Sequence, residues 1–255
     1  DIGVLKNRLS LTVDVYKKST KDLLARVPLA TSSGYMNTIQ NIGEIENKGI
    51  EAGVFATVFN RAFKWNLNVN FSANKSKVKK LANGSDVYGD ALGQPLEVAV
   101  NILREGEPVG VFLGYIEDGL NESGAIMYKD LNKDGIINLD DKTIIGDPNP
   151  DFIYGINSNM SYKNFEFTFF IQGVQGNDIF NWNFASNANS FYFGENQIVD
   201  VYYNRWMPSN PNPNAKYPKV SASTKFLESD RYIEDGSYAR LKNIQLGYHF
   251  PINKW

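Results

Sequence analysis

The 255-residue chain contains no cysteine. That removes disulfide staples, thiolate metal sites and cysteine nucleophiles together. Its one histidine, His249, leaves no imidazole pair to hold zinc. Lys and Arg number 26 against 28 Asp and Glu, a net charge of −2 that gives no electrostatic case for nucleic acid. No run of about 18 apolar residues is present, so no transmembrane helix is expected. Gly110 and Gly114 are not followed by the Lys-Ser/Thr of a phosphate loop. Glu234 and Asp235 have no spacing that singles them out for acid–base hydrolysis. An enzyme is not expected. The opening Asp-Ile-Gly-Val lacks the basic start and apolar core of a signal peptide.

What is present is alternation. From Phe63 to Ala73 the odd positions (Phe63, Trp65, Leu67, Val69, Phe71, Ala73) are apolar, and from Lys64 to Asn74 the even positions are polar. Period two is the signature of a strand with one wet face. About 9–11 residues is the length a tilted strand needs to cross a bilayer. The same pattern begins at Leu9, recurs over Gly49–Phe59, Phe152–Asn157 and Phe165–Gln172, and returns over Ile244–Phe250. Phe55 and Phe59 break the polar face of the second of these. Ile2 to Lys6 is a candidate seventh strand. Trp65, Leu67, Val69, Phe167 and Phe169 are expected to face lipid. Asn66, Asn68, Asn70 and Gln172 are expected to line a watery lumen and meet substrate.

The joints are lopsided. Asn7-Arg8, Asn60-Arg61 and Lys163-Asn164 read as two-residue turns, and the other connections are long. Structureless loops beyond about 12–15 residues are uncommon in compact soluble domains. Membrane barrels pair short periplasmic turns with long external loops. The expected fold is therefore all-β: an antiparallel transmembrane β-barrel segment with long extracellular loops over residues 75–150 and 173–230. Six or seven strands cannot close a barrel, because an open sheet edge is not tolerated in hydrocarbon. The chain is thus expected to be a fragment cut at both ends, with Pro251 to Trp255 turning onward.

Two loop features stand out. Residues 130–141 place Asp130, Asn132, Asp134, Gly135, Ile136, Asn138 and Asp141 at the spacing of a calcium loop. Asp130, Asn132, Asp134, the Ile136 carbonyl and Asp141 are the expected ligands of a structural Ca²⁺. Asp141 replaces the usual closing Glu, as in dockerin-type loops. A metal-free loop of Asx turns is the alternative. The region 173–230 is crowded with aromatics, including Trp182, Phe184, Phe191, Tyr192, Phe193, Tyr202, Tyr203, Trp206 and Tyr217. So many rings pack on themselves, stack on sugar or dock a partner. Tyr203 and Trp206 are the candidate docking residues.

Five segments in order, Val13–Leu24, Asn41–Glu51, Gly106–Gly119, Tyr128–Phe152 and Ser237–Pro251, resemble the C-terminal barrel half of the SusC/RagA family. These are TonB-dependent outer-membrane transporters of Bacteroidetes. The resemblance implies a barrel of twenty-two strands in the outer membrane and import of glycan or peptide oligomers. It also implies a SusD-like surface lipoprotein as lid, and TonB engaged through an N-terminal region absent from this chain. The competing reading from the residues alone is a secreted, calcium-stabilised β-rich carbohydrate-binding module.

Overall fold

The computed structural model describes residues 1–28, 31–35, 37–81, 84–93, 95–189, 196–221 and 226–251. Phe191, Tyr192, Phe193 and the segment after Pro251 lie outside the described residues. The strands, in chain order, are β1 (Ile2–Val4), β2 (Leu9–Pro28), β3 (Asn37–Asn60), β4 (Phe63–Leu81), β5 (Val87–Tyr88), β6 (Asn101–Leu103) and β7 (Val111–Gly114). They continue with β8 (Glu117–Leu120), β9 (Ile126–Tyr128), β10 (Thr143–Gly146), β11 (Phe152–Tyr162), β12 (Phe165–Gln175) and β13 (Asp178–Phe180). Helices α1 (Trp182–Asn189) and α2 (Val199–Asn204) precede β14 (Ile233–Asp235) and β15 (Tyr238–Tyr248).

Seven strands form one antiparallel sheet in the order β1-β2-β3-β4-β11-β12-β15. The order follows the chain, an up-and-down meander whose skipped strands all lie in long connections. The sheet stays open: β1 and β15 are its edges among the described residues. Directly paired residues share a face, so the register sorts every side chain. One row runs Leu11, Val54, Val69, Ile156, Ile171, Leu241. Its neighbour on the other face runs Thr12, Gly53, Asn70, Gly155, Gln172, Arg240. The next row on the apolar face is Leu9, Ala56, Leu67, Ser158, Phe169, Ile244.

Two β-bulges keep the faces pure where the sequence slips out of phase. The register shifts between Thr57 and Phe59, so Val58 is the extra residue. Below it Phe59 rejoins the apolar face, pairing with Trp65 and stacking on it at 6.0 Å. The freed carbonyls of Thr57 and Val58 accept from the Arg8 guanidinium at 2.8–3.2 Å. Lys242 is the second bulge, and it lets Leu241 and Ile244 share one face. Phe55 is a true exception, seated among polar residues of the other face.

The apolar face does not behave as a soluble core. Val15 is 77% exposed and Leu246 73%. Such a row in water would be an aggregation liability, whereas against hydrocarbon it is the required surface. The ten residue steps from Phe63 to Ala73, at ~3.4 Å each and a tilt of ~40°, rise about 25 Å, the height of a barrel's apolar band. Rings border the band at both ends. Phe59, Phe63 and Trp65 cluster near the short turns, as do Phe165, Tyr248 and Phe250. Phe71, Phe152 and Tyr154 mark the other end, with centroids 5.5 and 6.2 Å apart. The Tyr154 ring lies across Gly173 of the next strand, where a Cβ would sit 2.2 Å from it. On the same face the Trp65 indole N–H donates to the Ser158 hydroxyl at 3.0 Å, satisfying both groups without water.

The short turns differ in detail from the expectation. Lys163, with φ of 54°, turns the chain between β11 and β12. The β3–β4 turn occupies Arg61 and Ala62, one residue later than expected, because the bulge at Val58 displaces it. The first turn takes four residues, with Leu5, Lys6 and Asn7 all left-handed. Strands β11, β12 and β15 have 11 residues each, but β2, β3 and β4 have 20, 24 and 19. The first three therefore rise well past the apolar band.

The long connections are folded. Strands β10-β7-β6-β5 make a four-stranded sheet, and β8-β9 and β13-β14 make two ribbons. Two short helices, not foreseen in the sequence, carry the aromatic stretch. The body is fastened to β4 above Ser72, where β11 no longer pairs with that strand. There Val78 exchanges backbone bonds with Glu107 and Gly106, both at 2.9 Å. Rings from both connections meet: Phe180 lies 6.0 Å from Phe112 and 5.7 Å from the fully buried Tyr232.

The face assignment makes a paired prediction. In the full-length barrel, Leu67→Arg places a charge on the lipid face and is expected to cost ~2–4 kcal/mol, while Asn68→Arg one residue away costs far less. Chemical unfolding in lipid measures both. Equal costs would invalidate the assignment of faces.

Candidate functional site: the polar concave face and the loops above it

The polar face of the sheet is concave and encloses an open groove of about 650 Å³. Ser10, Thr12, Asp14, Glu51, Asn68, Asn70, Ser72 and Gln172 line it. Of the residues expected to meet substrate, Asn68, Asn70 and Gln172 are in the groove. Asn66 belongs to the same face, paired with Thr57 and Asn159, but lies outside the groove lining. The side chains of Asn68, Asn70 and Gln172 make no hydrogen bond to the described protein. Their amides are therefore open to a solute. Elsewhere the face pairs with itself: Thr168 donates to Asn159 at 2.9 Å and Tyr16 to Asn74 at 3.2 Å. Asp14 and Glu51 sit opposite each other at one end of the groove, and Arg240 beside Gln172 supplies a positive charge. The groove can exchange water for neutral donors and acceptors. It has no nucleophile–base pair. His249 lies outside it, 3.2 Å from Glu166 near the short turns.

Above the groove, the calcium-like loop is closed by its own backbone. Asp130 accepts from the N–H groups of Lys133 at 2.6 Å and Gly135 at 2.7 Å. Asp134 accepts from Ile136 N–H at 2.8 Å, and Asn132 Nδ2 donates to Asp134 Oδ2 at 3.0 Å. Asp141 is fully buried and accepts from Asn138 and Leu131 N–H at 2.9 and 2.8 Å. The Asn138 N–H bond, then those from Leu131 and Asn132, holds the Asp141 carboxyl below the ordinary range despite burial. The Ile136 carbonyl accepts from Asn138 Nδ2 at 3.4 Å. Among the described residues no three carboxylate or imidazole groups converge into a metal cage. The chain has folded here as linked Asx turns. The donor set still suits a hard cation, since Asp130, Asn132 and Asp134 keep spare oxygen lone pairs on one turn.

Lys142, next to Asp141, ties this loop to the aromatic connection. It pairs with Glu228 and lies 5.4 Å from the Tyr115 ring centroid. Arg231 grips Glu117 at 2.7 and 2.9 Å. Tyr128 accepts from Leu227 N–H, and burial pushes its phenol up to about 12. None of these long-range pairs has a local sequence signal.

Trp206, expected on a docking surface, is instead only 7% exposed. Its ring packs on Gly124, whose φ of +79° and missing Cβ allow the approach; a Cβ there would lie 2.4 Å from the indole. Tyr203 is 72% exposed and meets Tyr202 edge-on at 5.1 Å. Behind this pair, Asp200 on α2 accepts from Lys216 Nζ at 2.5 Å and Tyr217 OH at 2.7 Å. The Lys216 bond, then those from Tyr217 and Asn204, brings the Asp200 carboxyl down to about 2.

Residues 2–255 match the family described as TonB dependent receptor-like, beta-barrel. The chain belongs to this family. The receptor barrel is 38% identical over 98% of its length to TonB-dependent receptor P3 of Formosa agariphila, covering 26% of that protein. It is 31% identical over its whole length to TonB-dependent receptor SusC of Bacteroides thetaiotaomicron, covering 25% of it. In fold it is similar to a chain of the RagAB peptide transporter, with a TM-score of 0.81 and 24% identity over 98% of this chain and 27% of the other. The chain thus spans about a quarter of the relatives it matches. Receptors of this kind are outer-membrane β-barrel proteins. The relatives are receptors, not enzymes, and a free secreted module is set aside.

Two predictions follow from the loop body. Gly124→Ala forces a side chain into a left-handed position and against Trp206, at a cost of ~1–3 kcal/mol. Red-shifted tryptophan emission and faster cleavage of the external loops are expected, with heat-modifiable migration of the barrel unchanged. For Asp200 the folded pKa is depressed, so its stabilising contribution is present above the ordinary value of 3.8 and lost as pH falls toward about 2. Hydrogen exchange at α2 is expected to accelerate across that window and to lose this step in Asp200→Asn.

Proposed function

We propose that this chain is the lipid-embedded wall of a nutrient importer, passing oligomers of sugar or peptide across the outer membrane. The observation that carries the reading is the register: mainly polar rows with unpaired amides on one face, interrupted by Phe55, Phe170 and Ile153, and apolar rows on the other. Neutral amides and hydroxyls match sugar hydroxyls and peptide groups alike, with no fixed charge required of the cargo. In the family, energy comes through TonB, and the same coupling is proposed for the receptor to which this barrel segment belongs. A SusD-like lipoprotein seated on the extracellular loop body would close the lumen. Tyr202 and Tyr203, exposed and rigidly backed by Asp200, Lys216 and Tyr217, are the anchors that support such a seat. A second proposal is calcium at Asp130, Asn132, Asp134, the Ile136 carbonyl and Asp141, where the ion would staple the loop to the rest of the body through Lys142.

In the full-length receptor, Asn70→Trp is expected to reduce uptake of the transported oligomer at least several-fold with surface levels intact. Unchanged uptake would remove the groove from the route. Tyr203→Ala is expected to weaken lipoprotein co-purification without altering the barrel. For calcium, titration calorimetry is expected to give a Kd of ~10⁻⁴–10⁻³ M that Asp134→Ala abolishes. Heat of binding that persists in the variant assigns the ion elsewhere.

A further inference from the structure

The sheet carries a one-sided row of lysines at the outer boundary of its apolar face. Immediately beyond Val15, Ile50 and Ala73, the next row on that face is Lys17, Lys48 and Lys75, abreast on β2, β3 and β4. Adjacent strands stand about 4.8 Å apart, so the three stems run side by side. One step further out, the row is Ser19, Glu46 and Lys77. Glu46 is the one acid in these two rows. It bridges Lys17 Nζ and Lys48 Nζ, each at 2.9 Å, and is itself 7% exposed. The ammonium groups above it remain open, with the Lys17 and Lys48 side chains 62% and 60% exposed. Lys75 and Lys77 are exposed and form no ion pair among the described residues. Two of the four cations thus pair with one buried anion, and two remain unpaired among the described residues.

Three features separate this patch from an ordinary solvated face. First is its height. Two residues of tilted strand place it about 5 Å above the last apolar row, at the headgroup level. Second is its sidedness. At the same height the lumen face carries Tyr16, Gly49 and Asn74, with a single lysine, Lys18, in the row above. Third is its cost. Like charges directly opposite on neighbouring strands repel, and Glu46 offsets only part of that. Edge protection does not explain Lys48, since β3 is paired on both sides here.

We infer that Lys17, Lys48, Lys75 and Lys77 form a docking surface for the phosphate groups of a phosphorylated glycolipid in the outer leaflet. The acyl chains would lie on the apolar rows below, at Val13, Val15, Ile50 and Phe71, while the phosphate meets the ammonium row. Compact ammonium groups suit a phosphate at the aqueous boundary, and their long stems reach it by snorkelling. The surface extends the importer reading to the surrounding bilayer and does not depend on the identity of the cargo.

The test uses the full-length receptor extracted in mild detergent, with native mass spectrometry and thermal shift as readouts. The probes are phosphorylated lipid A, the same lipid after dephosphorylation, and inorganic phosphate. The wild type is expected to retain the phosphorylated lipid and to gain thermal stability from it, and to retain the dephosphorylated form several-fold less. Lys17→Gln combined with Lys48→Gln and Lys75→Gln is expected to lower retention several-fold, with Lys18→Gln as an unaffected control. Glu46→Gln removes the competing anion and is expected to raise retention, a change of opposite sign that misfolding cannot mimic. Retention in the triple variant equal to wild type overturns the inference. So does displacement of the lipid by inorganic phosphate alone, which would mark a site for free anions.

Discussion

Inside hydrocarbon no water is available to a backbone N–H or C=O, so every such group must find its partner within the protein. That constraint organises everything else in this sheet. It requires continuous ladders across seven strands, and continuous ladders force side chains into shared rows. Once the rows exist, chemistry is decided a row at a time. Leu11, Val54, Val69, Ile156, Ile171 and Leu241 commit one face to lipid. The adjacent row through Thr12, Asn70 and Gln172 is committed to water by the same pairing. The bulges at Val58 and Lys242 are the places where the chain takes up a residue to keep that commitment, and Arg8 covers the backbone exposed at the first.

Above the band the constraint relaxes, and the same strands serve different ends. The upper part of β4 has no sheet neighbour on the β11 side, and the first long connection takes that edge through Val78. From there a chain of contacts runs through Tyr115, Lys142 and Glu228 to Arg231 and Glu117. The calcium-like loop sits within this chain of contacts, with buried Asp141 one residue from Lys142. The groove below and the loop body above are therefore mechanically continuous through β4.

The transmembrane part was legible because its code is local. Period two reports face, Lys163 and Asn164 report a turn, and the asymmetry of connection lengths reports direction. The division of Leu67, Val69 and Phe169 from Asn68 and Gln172 between the two faces needed nothing more. The phase slip near Phe59 was visible as a broken pattern, but only the pairing with Trp65 shows it to be a bulge. The reach of β2 and β3 above the membrane was not legible, since that part faces water on both sides and loses alternation. The loop body was least legible. Trp206 looked like a docking residue because its partner, Gly124, is far away in sequence. Tyr232 packs with Phe180 and Phe184 at distances that composition cannot encode. Helices α1 and α2 are short and held by such contacts; the Asn181 side chain caps α1 at Phe184 N–H, α2 has no side-chain cap, and neither has a long periodic stripe to announce it.

The uneven connections also set an order of assembly. Within the hairpins β2–β3, β3–β4 and β11–β12, partners are drawn together by nearby chain. The seam between β4 and β11 must instead bring together ends separated by about seventy residues. Each doubling of a flexible loop costs about 0.6 kcal/mol, so a link of that length adds roughly 3 kcal/mol over a tight turn. A connection that collapses first shortens the distance to be searched. The loop body, gripping β4 through Val78 and delivering Phe152 beside Phe71, acts as a splint that lowers the entropic barrier to closing the seam. An external insertion in a loop of this barrel would then slow its maturation even where it leaves the finished wall unchanged.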